Sequence, residues 1–248
     1  MDMQDTPVIL VTGAARRVGA EIARTLHAAG AHVVLHYRSS AGDADALADA
    51  LNRERPGSAS TARADLKEDG APEALADALL ARHGRLDALV NNASSFFPTP
   101  LGTIDARAWG DLIGSNLKGP LFLSQALAPA LRAAHGTIVN IVDIHAERPL
   151  RHYPLYCAAK AGLLGLTRAL AVELAPEVRV NGVSPGAIDW PEDGQIAPAE
   201  QDEIVRHTLL GRTGSPTDIA RSVRFLIFDA PYVTGQILAV DGGRSAHL

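Results

Sequence analysis

The chain has 248 residues, a formal net charge of −5, 47% hydrophobic and 21% charged residues, a balance too apolar for disorder and ordinary for a folded protein. The length suits one extended α/β domain, residues 1–248, with a single core. The acidic balance argues against a sequence-independent nucleic-acid surface, which needs clustered Lys and Arg, and the lone cysteine, Cys157, permits no intrachain disulfide.

In chain order, Met1-Asp2-Met3-Gln4-Asp5 has no basic flank and no long apolar run, so neither a signal peptide nor a membrane anchor is expected. The expectation is a cytoplasmic protein with small-molecule partners. Val8-Ile9-Leu10-Val11 reads as a strand closed by Thr12-Gly13, and Arg17 to Ala29 as a helix with Val18, Ile22, Ala23 and Leu26 on one face. Further strand runs follow at 33–35, 88–90, 137–142, 178–183 and 236–240, with a weaker one at 60–63 and helical stretches between. These runs do not alternate with polar residues, which implies strands buried on both faces. The fold expected is a doubly wound parallel sheet of about seven strands with helices on both sides. The segment 187–211 lacks a strand signal and carries Pro191, Gly194 and Pro198; it is expected to form a flap over the site, with a short helix near Glu200 to Leu209.

Such sheets bind ligands beyond the carboxyl ends of their strands, where Gly13, Arg38, Asn92, Asp143 and Gly186 fall. Thr12-Gly13-Ala14-Ala15-Arg16-Arg17-Val18-Gly19 joins the first strand to its helix, where free N–H groups and the helix dipole can hold a pyrophosphate. Two arginines at a helix start are unfavourable by about 0.3–1 kcal/mol each unless an anion compensates them, and so imply bound phosphate. The second strand ends in His36-Tyr37-Arg38-Ser39-Ser40, near where an NAD site carries an acid for the ribose. An arginine and two hydroxyls there suit the 2′-phosphate of NADP. Asp65 is placed to accept from the adenine amino group, or is a solvated turn carboxylate. His32 and His36 have the spacing of a helical metal pair, but on a strand they lie about 13 Å apart; no metal is assigned.

Tyr156 and Lys160 share one helical face at four-residue spacing, and Asp143 stands 13 residues before Tyr156. A lysine cation nearby is expected to lower the phenol's pKa and ease proton donation near neutral pH, a form of general acid help worth about 10²–10⁴ in rate. Tyr153 is a weaker candidate, because its own partner one turn on is Cys157. A carboxyl beside the tyrosine suggests a substrate whose nitrogens must be protonated.

With Asn91-Asn92-Ala93, Asn116, Pro185-Gly186 and Val240-Asp241-Gly242-Gly243, these motifs make the chain similar to the short-chain dehydrogenase/reductase family, a Rossmann-type fold, over almost its whole length. The resemblance implies that Tyr156 is the acid, that Lys160 also holds the nicotinamide ribose, and that Asn116 sustains a water relay to Lys160. Arg17, Ser94 and Asp143 depart from the common family pattern, and Asn91-Asn92-Ala93-Ser94-Ser95-Phe96-Phe97-Pro98-Thr99-Pro100 departs with them; all resemble pteridine reductases, bacterial ones most. That likeness implies NADPH held by Gly13, Arg16, Arg17, Val18, Gly19, Tyr37, Arg38, Ser39, Ser40, Asp65, Leu66, Asn92, Ala93, Ser94, Tyr156, Lys160, Pro185, Gly186 and Ile188. It implies a pterin stacked on Phe96 and bounded by Arg17, Ser94, Asp143, Tyr156 and Trp190. The other reading of Phe96-Phe97 is a hydrophobic plug, and Trp190 either caps the pocket or packs the flap. No hydroxyl residue follows Pro185-Gly186, where some pteridine reductases have one.

The expected reaction is NADPH-linked reduction of a pterin or dihydropterin, with Asp143 sharing a proton with Tyr156. A carbonyl or 3-oxoacyl thioester reductase of the same family is the alternative, and a non-catalytic NADPH-binding sensor or assembly subunit is the alternative of a different class. Family resemblance further implies a homotetramer, and residues 112–131 are apolar enough either for such an interface or to pack on the sheet.

Overall fold

The computed structural model describes residues 6–190 and 197–246; Met1 to Asp5 and positions 191 and 194 of the expected flap lie outside the described residues. Strands β1 (Val8–Val11), β2 (His32–Tyr37), β3 (Ala59–Arg63), β4 (Ala88–Asn91), β5 (Thr137–Ile141), β6 (Arg179–Pro185) and β7 (Ile237–Val240) form one sheet in the order β3-β2-β1-β4-β5-β6-β7. Every pairing is parallel. The helices are α1 (Arg17–Ala28), α2 (Ala41–Glu54), α3 (Ala71–His83), α4 (Ala106–Ile113), α5 (Gly119–Ala133), α6 (Pro154–Glu173), α7 (Pro198–Arg206) and α8 (Pro216–Arg224).

The two-residue period of a strand explains why the apolar runs show no alternation. In β1, Ile9 and Val11 face one layer, packing with Ile22 and Leu26 of α1, Leu47 and Leu51 of α2, and Ile219 and Val223 of α8. Val8 and Leu10 face the other, with Leu75 and Leu79 of α3 and Leu123, Leu127 and Leu131 of α5. Both faces of β1 are dry, so all four of its positions are apolar. Leu112, Leu123, Leu127 and Leu131 are fully buried within the chain; the apolar side of 112–131 therefore packs inward. Helix α6 is, among the described residues, the one long and apolar enough to cross a membrane, yet half of it is buried inside the fold.

The strand order reverses direction between β1 and β4, which opens a crevice at their carboxyl ends. In the expected flap, α7 occupies the position of the short helix, and Ile188 pairs with Gly214 in an isolated bridge.

Candidate active site

Backbone geometry shapes the first end of the crevice. Thr12 Oγ1 accepts the N–H groups of Asn92 and Ala93, both at 2.9 Å, and the Asn92 amide donates back to Thr12 O at 2.9 Å and Gly13 O at 3.1 Å. These bonds tie β1 to β4 across the reversal point. Gly13 has φ +62°, and a Cβ on Gly19 would lie 2.1 Å from Gly13 O; no side chain fits there. Helix α1 begins at Arg16 with no side-chain cap and no acid in its first turn. Its first N–H groups and positive dipole end are left for an anion. Helix α8, packed against α1, begins instead in a complete capping box of Ser215 and Asp218.

His36 anchors this turn. Its Nδ1 accepts the Gly13 N–H at 3.2 Å, so Nε2 carries the proton and donates to Ala64 O at 3.1 Å. Burial holds the imidazole neutral and pushes its pKa down to about 4. His32, the other half of the spacing pair, instead contacts Gly57 O and Ser60 Oγ.

Against the expectation from the sequence, neither arginine at the start of α1 is left without a partner. Arg16 is already compensated by Asp43 of α2, with Nε and Nη2 at 2.6 and 2.5 Å from Oδ2. Arg17, itself at φ +50°, donates to Asp189 O at 3.2 Å. Their charges therefore do not require phosphate; the uncapped start of α1 is the better indication of an anion. Beyond it, Tyr37, exposed Arg38, Ser39, Ser40, Asp65 and Leu66 line the wall. Asp65 Oδ1 accepts the Lys67 N–H at 3.2 Å, as a turn carboxylate does.

The second end begins where β5 stops. Asp143 Oδ1 accepts the His145 N–H at 2.8 Å, and Oδ2 accepts the Tyr156 hydroxyl at 2.7 Å. One turn along α6, Lys160 donates to Ile141 O at 2.8 Å and sits 5.8 Å from the Tyr156 ring centre. Tyr156 and Lys160 are only 4% and 2% exposed, so electrostatics there act in low dielectric. Burial first, then the Asp143 charge and hydrogen bond, raise the phenol well above its ordinary range. This reverses the expectation that Lys160 lowers it: the ammonium is bonded to a carbonyl, and burial pushes its own pKa down to about 8.

Asn116 lies in a π-type turn, Gly114–Lys118, and is completely buried. Its amide donates to Ser95 O at 2.9 Å and Leu112 O at 3.0 Å, and its Oδ1 accepts the Ser94 hydroxyl at 2.8 Å. Within the described residues it therefore braces the loop that carries Ser94 and Phe96. Phe96 stacks on Tyr153, ring centres 4.6 Å apart and planes at 12°, and meets Tyr156 edge-on at 4.8 Å. Phe97 packs against Leu112, Leu155 and Cys157. The plug and the platform are thus divided between neighbours, and Tyr153, ranked low from sequence, backs the exposed ring.

Both ends open into one cavity of about 1610 Å³, lined also by Val18, Pro185, Gly186, Ile188, Trp190 and Arg244. Single small-molecule sites measure roughly 300–1,000 Å³, so this volume suits a dinucleotide together with a second ring. A Cβ on Gly186 would approach Asp241 Cα to 2.8 Å, so that wall too must be bare backbone. Arg244 and the His36 anchor are the site residues that sequence reasoning missed. The position of Arg244 directly after Asp241-Gly242-Gly243 was the one available signal for it.

A family model described as enoyl-(acyl carrier protein) reductase matches residues 13–245. The chain is 42% identical to pteridine reductase 1 of Leishmania tarentolae over 279 residues, covering 96% of each protein. It is 34% identical to 3beta-hydroxysteroid dehydrogenase 1 of Eggerthella lenta, over 96% of this chain and 94% of that one. It is also 34% identical to the 3-oxoacyl-(acyl-carrier-protein) reductase FabG of Staphylococcus epidermidis, over 94% of this chain and 97% of the other.

Proposed function

Because the chain belongs to the short-chain dehydrogenase/reductase family and is an oxidoreductase of that kind, we propose that it is an NADPH-dependent pteridine reductase. Its substrate is a pterin or dihydropterin of the dihydrobiopterin or dihydromonapterin type, with dihydrofolate a further candidate. The observation that carries this reading is the 2.7 Å bond between Tyr156 and Asp143 beside the Phe96 ring. A carbonyl oxygen needs one hydroxyl donor. Reduction of a ring C=N bond needs a proton on nitrogen, and a flat heteroaromatic needs a ring to lie against.

The bare backbone at Gly13, Gly19 and Gly186 and the uncapped start of α1 fit a pyrophosphate, while Arg38, Ser39 and Ser40 fit the 2′-phosphate. NADPH, when bound, supplies the hydride. The Tyr156–Asp143 pair is the proton source: the Tyr156 O–H bond breaks, its electron pair stays on the phenol oxygen, and an N–H bond forms on the substrate. Lys160, whose ammonium lies near the ring, offsets the charge left behind. Asn116 keeps Ser94 and Phe96 in place for the ring, and also supports a water path to Lys160. Trp190 and helix α7, both on the cavity wall, cover the substrate.

The single domain 1–248 works in this reading as a cytoplasmic homotetramer. Val172, Phe225, Phe228 and Leu238, exposed on and around the open β7 edge, favour cover by further copies, which gel filtration checks.

The activity test is one comparison: protein and NADPH with dihydrobiopterin, dihydrofolate or an acetoacetyl thioester. Oxidation of NADPH by the pterins with an inert thioester supports the reading. The reverse assigns the chain to 3-oxoacyl thioester reduction, in line with its likeness to FabG. Tight NADPH binding with no turnover of any of the three would instead indicate a sensor or assembly subunit.

A further inference from the structure

Two guanidinium groups reach the wall proposed for the 2′-phosphate, and they differ in what holds them. Arg38 directly follows β2, is exposed and, among the described residues, forms no ion pair. Arg16 lines the same cavity from the start of α1. Its head is already taken: Nε and Nη2 both meet one oxygen of Asp43, at 2.6 and 2.5 Å.

That bond fixes where the Arg16 guanidinium lies. Asp43 is the acid of the first turn of α2, whose N-cap is Ser40 and whose Ala44 N–H donates to Ser40 O at 3.1 Å. The guanidinium therefore sits about one helical turn from the Arg38-Ser39-Ser40 wall. Ser40 makes no side-chain cap bond, so the first N–H groups of α2, like those of α1, are left for an anion. A cation at such a helix start is unfavourable, and Asp43 is what offsets Arg16 there.

The tie is nevertheless a loose one. The two side chains are 67% and 44% exposed, and an ion pair so open to water contributes little. A phosphate within reach of the same guanidinium competes for it, because carboxylate and phosphate both match the planar fork. The Asp43 carboxylate also repels a phosphate placed beside it.

We propose that Asp43 is a positioning residue that sets cofactor preference: it holds Arg16 off the 2′-phosphate and brings its own negative charge to that wall, leaving Arg38 as the guanidinium that recognises the group. This rests on the reading of Arg38, Ser39 and Ser40 as a 2′-phosphate site. NADPH then binds less tightly than the side chains of the wall would allow, whereas a cofactor without that phosphate is indifferent to the pair.

The test is equilibrium binding of NADPH and of NADH, read by fluorescence titration with no substrate present. Asp43→Asn is expected to tighten NADPH by about two- to fivefold and to leave NADH unchanged. A tie that served only to hold the two helix starts together would give the opposite sign, weakening both cofactors when cut. A double-mutant cycle isolates the pair: Arg16→Gln should cost NADPH less than about twofold in the wild type and about two- to fivefold in the Asp43→Asn background. If Asp43→Asn does not fold, Asp43→Ser keeps an oxygen in the first turn of α2 and gives the same comparison. With a wild type that prefers NADPH, unchanged or weaker NADPH binding in the neutral variant, or an equal gain for NADH, overturns the proposal alone. A wild type that binds both cofactors equally, with no change in the variants, sinks the 2′-phosphate reading and takes the proposal with it.

Discussion

At the end of the cavity proposed for the phosphates the walls are backbone, or side chains answering backbone: Thr12 and Asn92 stitch two strand ends, His36 pins the Gly13 turn, and Gly19 and Gly186 leave no space for a Cβ. At the substrate end the walls are side chains on loops. Phe96 leans on Tyr153, Asp143 on Tyr156, and Arg244 arrives from the end of the chain. Bare backbone selects a ligand by shape and hydrogen bonding alone, so the first end can accept only a narrow class of ligand. The second can be rewritten by a few substitutions without disturbing the sheet. Relatives named for a pterin, a steroid and an acyl-carrier thioester, all aligned along nearly the whole chain, fit that division.

Removing the proton source tests the sharpest form of this contrast. Tyr156→Phe should lower kcat for dihydropterin by about 10²–10⁴ while NADPH affinity, read by fluorescence titration, stays within about twofold; Asp143→Ala should also lose most of its turnover. Full activity in both would erase the functional distinction between the ends.

Acid should break the phosphate end first. His36 refuses a proton until about pH 4, whereas in the unfolded chain it takes one near 6.5. The folded pKa is depressed, so the stabilisation is complete above about pH 6.5 and is lost as pH falls toward 4, amounting to about 3 kcal/mol. Urea denaturation across that window should show the loss in wild type and a flatter profile in His36→Asn. Equal slopes would mean that the imidazole is not the pin.

Smaller effects probe each end separately. Arg38→Ala should weaken NADPH about tenfold and NADH much less; equal weakening would remove the 2′-phosphate from that wall. Phe96→Ala should raise KM for a pterin by about three- to tenfold, from a stacking loss of about 0.5–1.5 kcal/mol, with KM for NADPH unchanged. A rise for NADPH instead would place Phe96 at the wrong end.

The Gly13 end was readable in the sequence because bare backbone leaves a local mark. Strands buried on both faces write themselves as short, mostly apolar runs, and a turn that must leave bare backbone writes itself as glycine; all seven strands lie at the runs read from the sequence, β3 the weakest of them. The Tyr156 and Lys160 pair was readable because both belong to one helix turn. What escaped was made by distant partners. Nothing local announces that Asp43 neutralises Arg16, that Tyr153 backs Phe96, or that Asn116 sits in a widened helical turn holding the Ser94 loop. The direction of the Tyr156 shift escaped as well, because it depends on burial and on where the Lys160 ammonium finds its acceptor.

The unequal starts of α1 and α8 have a consequence for the lifetime of the protein. The two helices pack together, but α8 carries its own cap whereas α1 waits for an anion from outside. A ligand that binds the native chain alone adds about 2.7 kcal/mol of stability at a hundred times its Kd. With NADPH in that role, a cell short of reducing power would clear this chain faster by proteolysis, and the abundance of the protein would follow the supply of its own hydride donor.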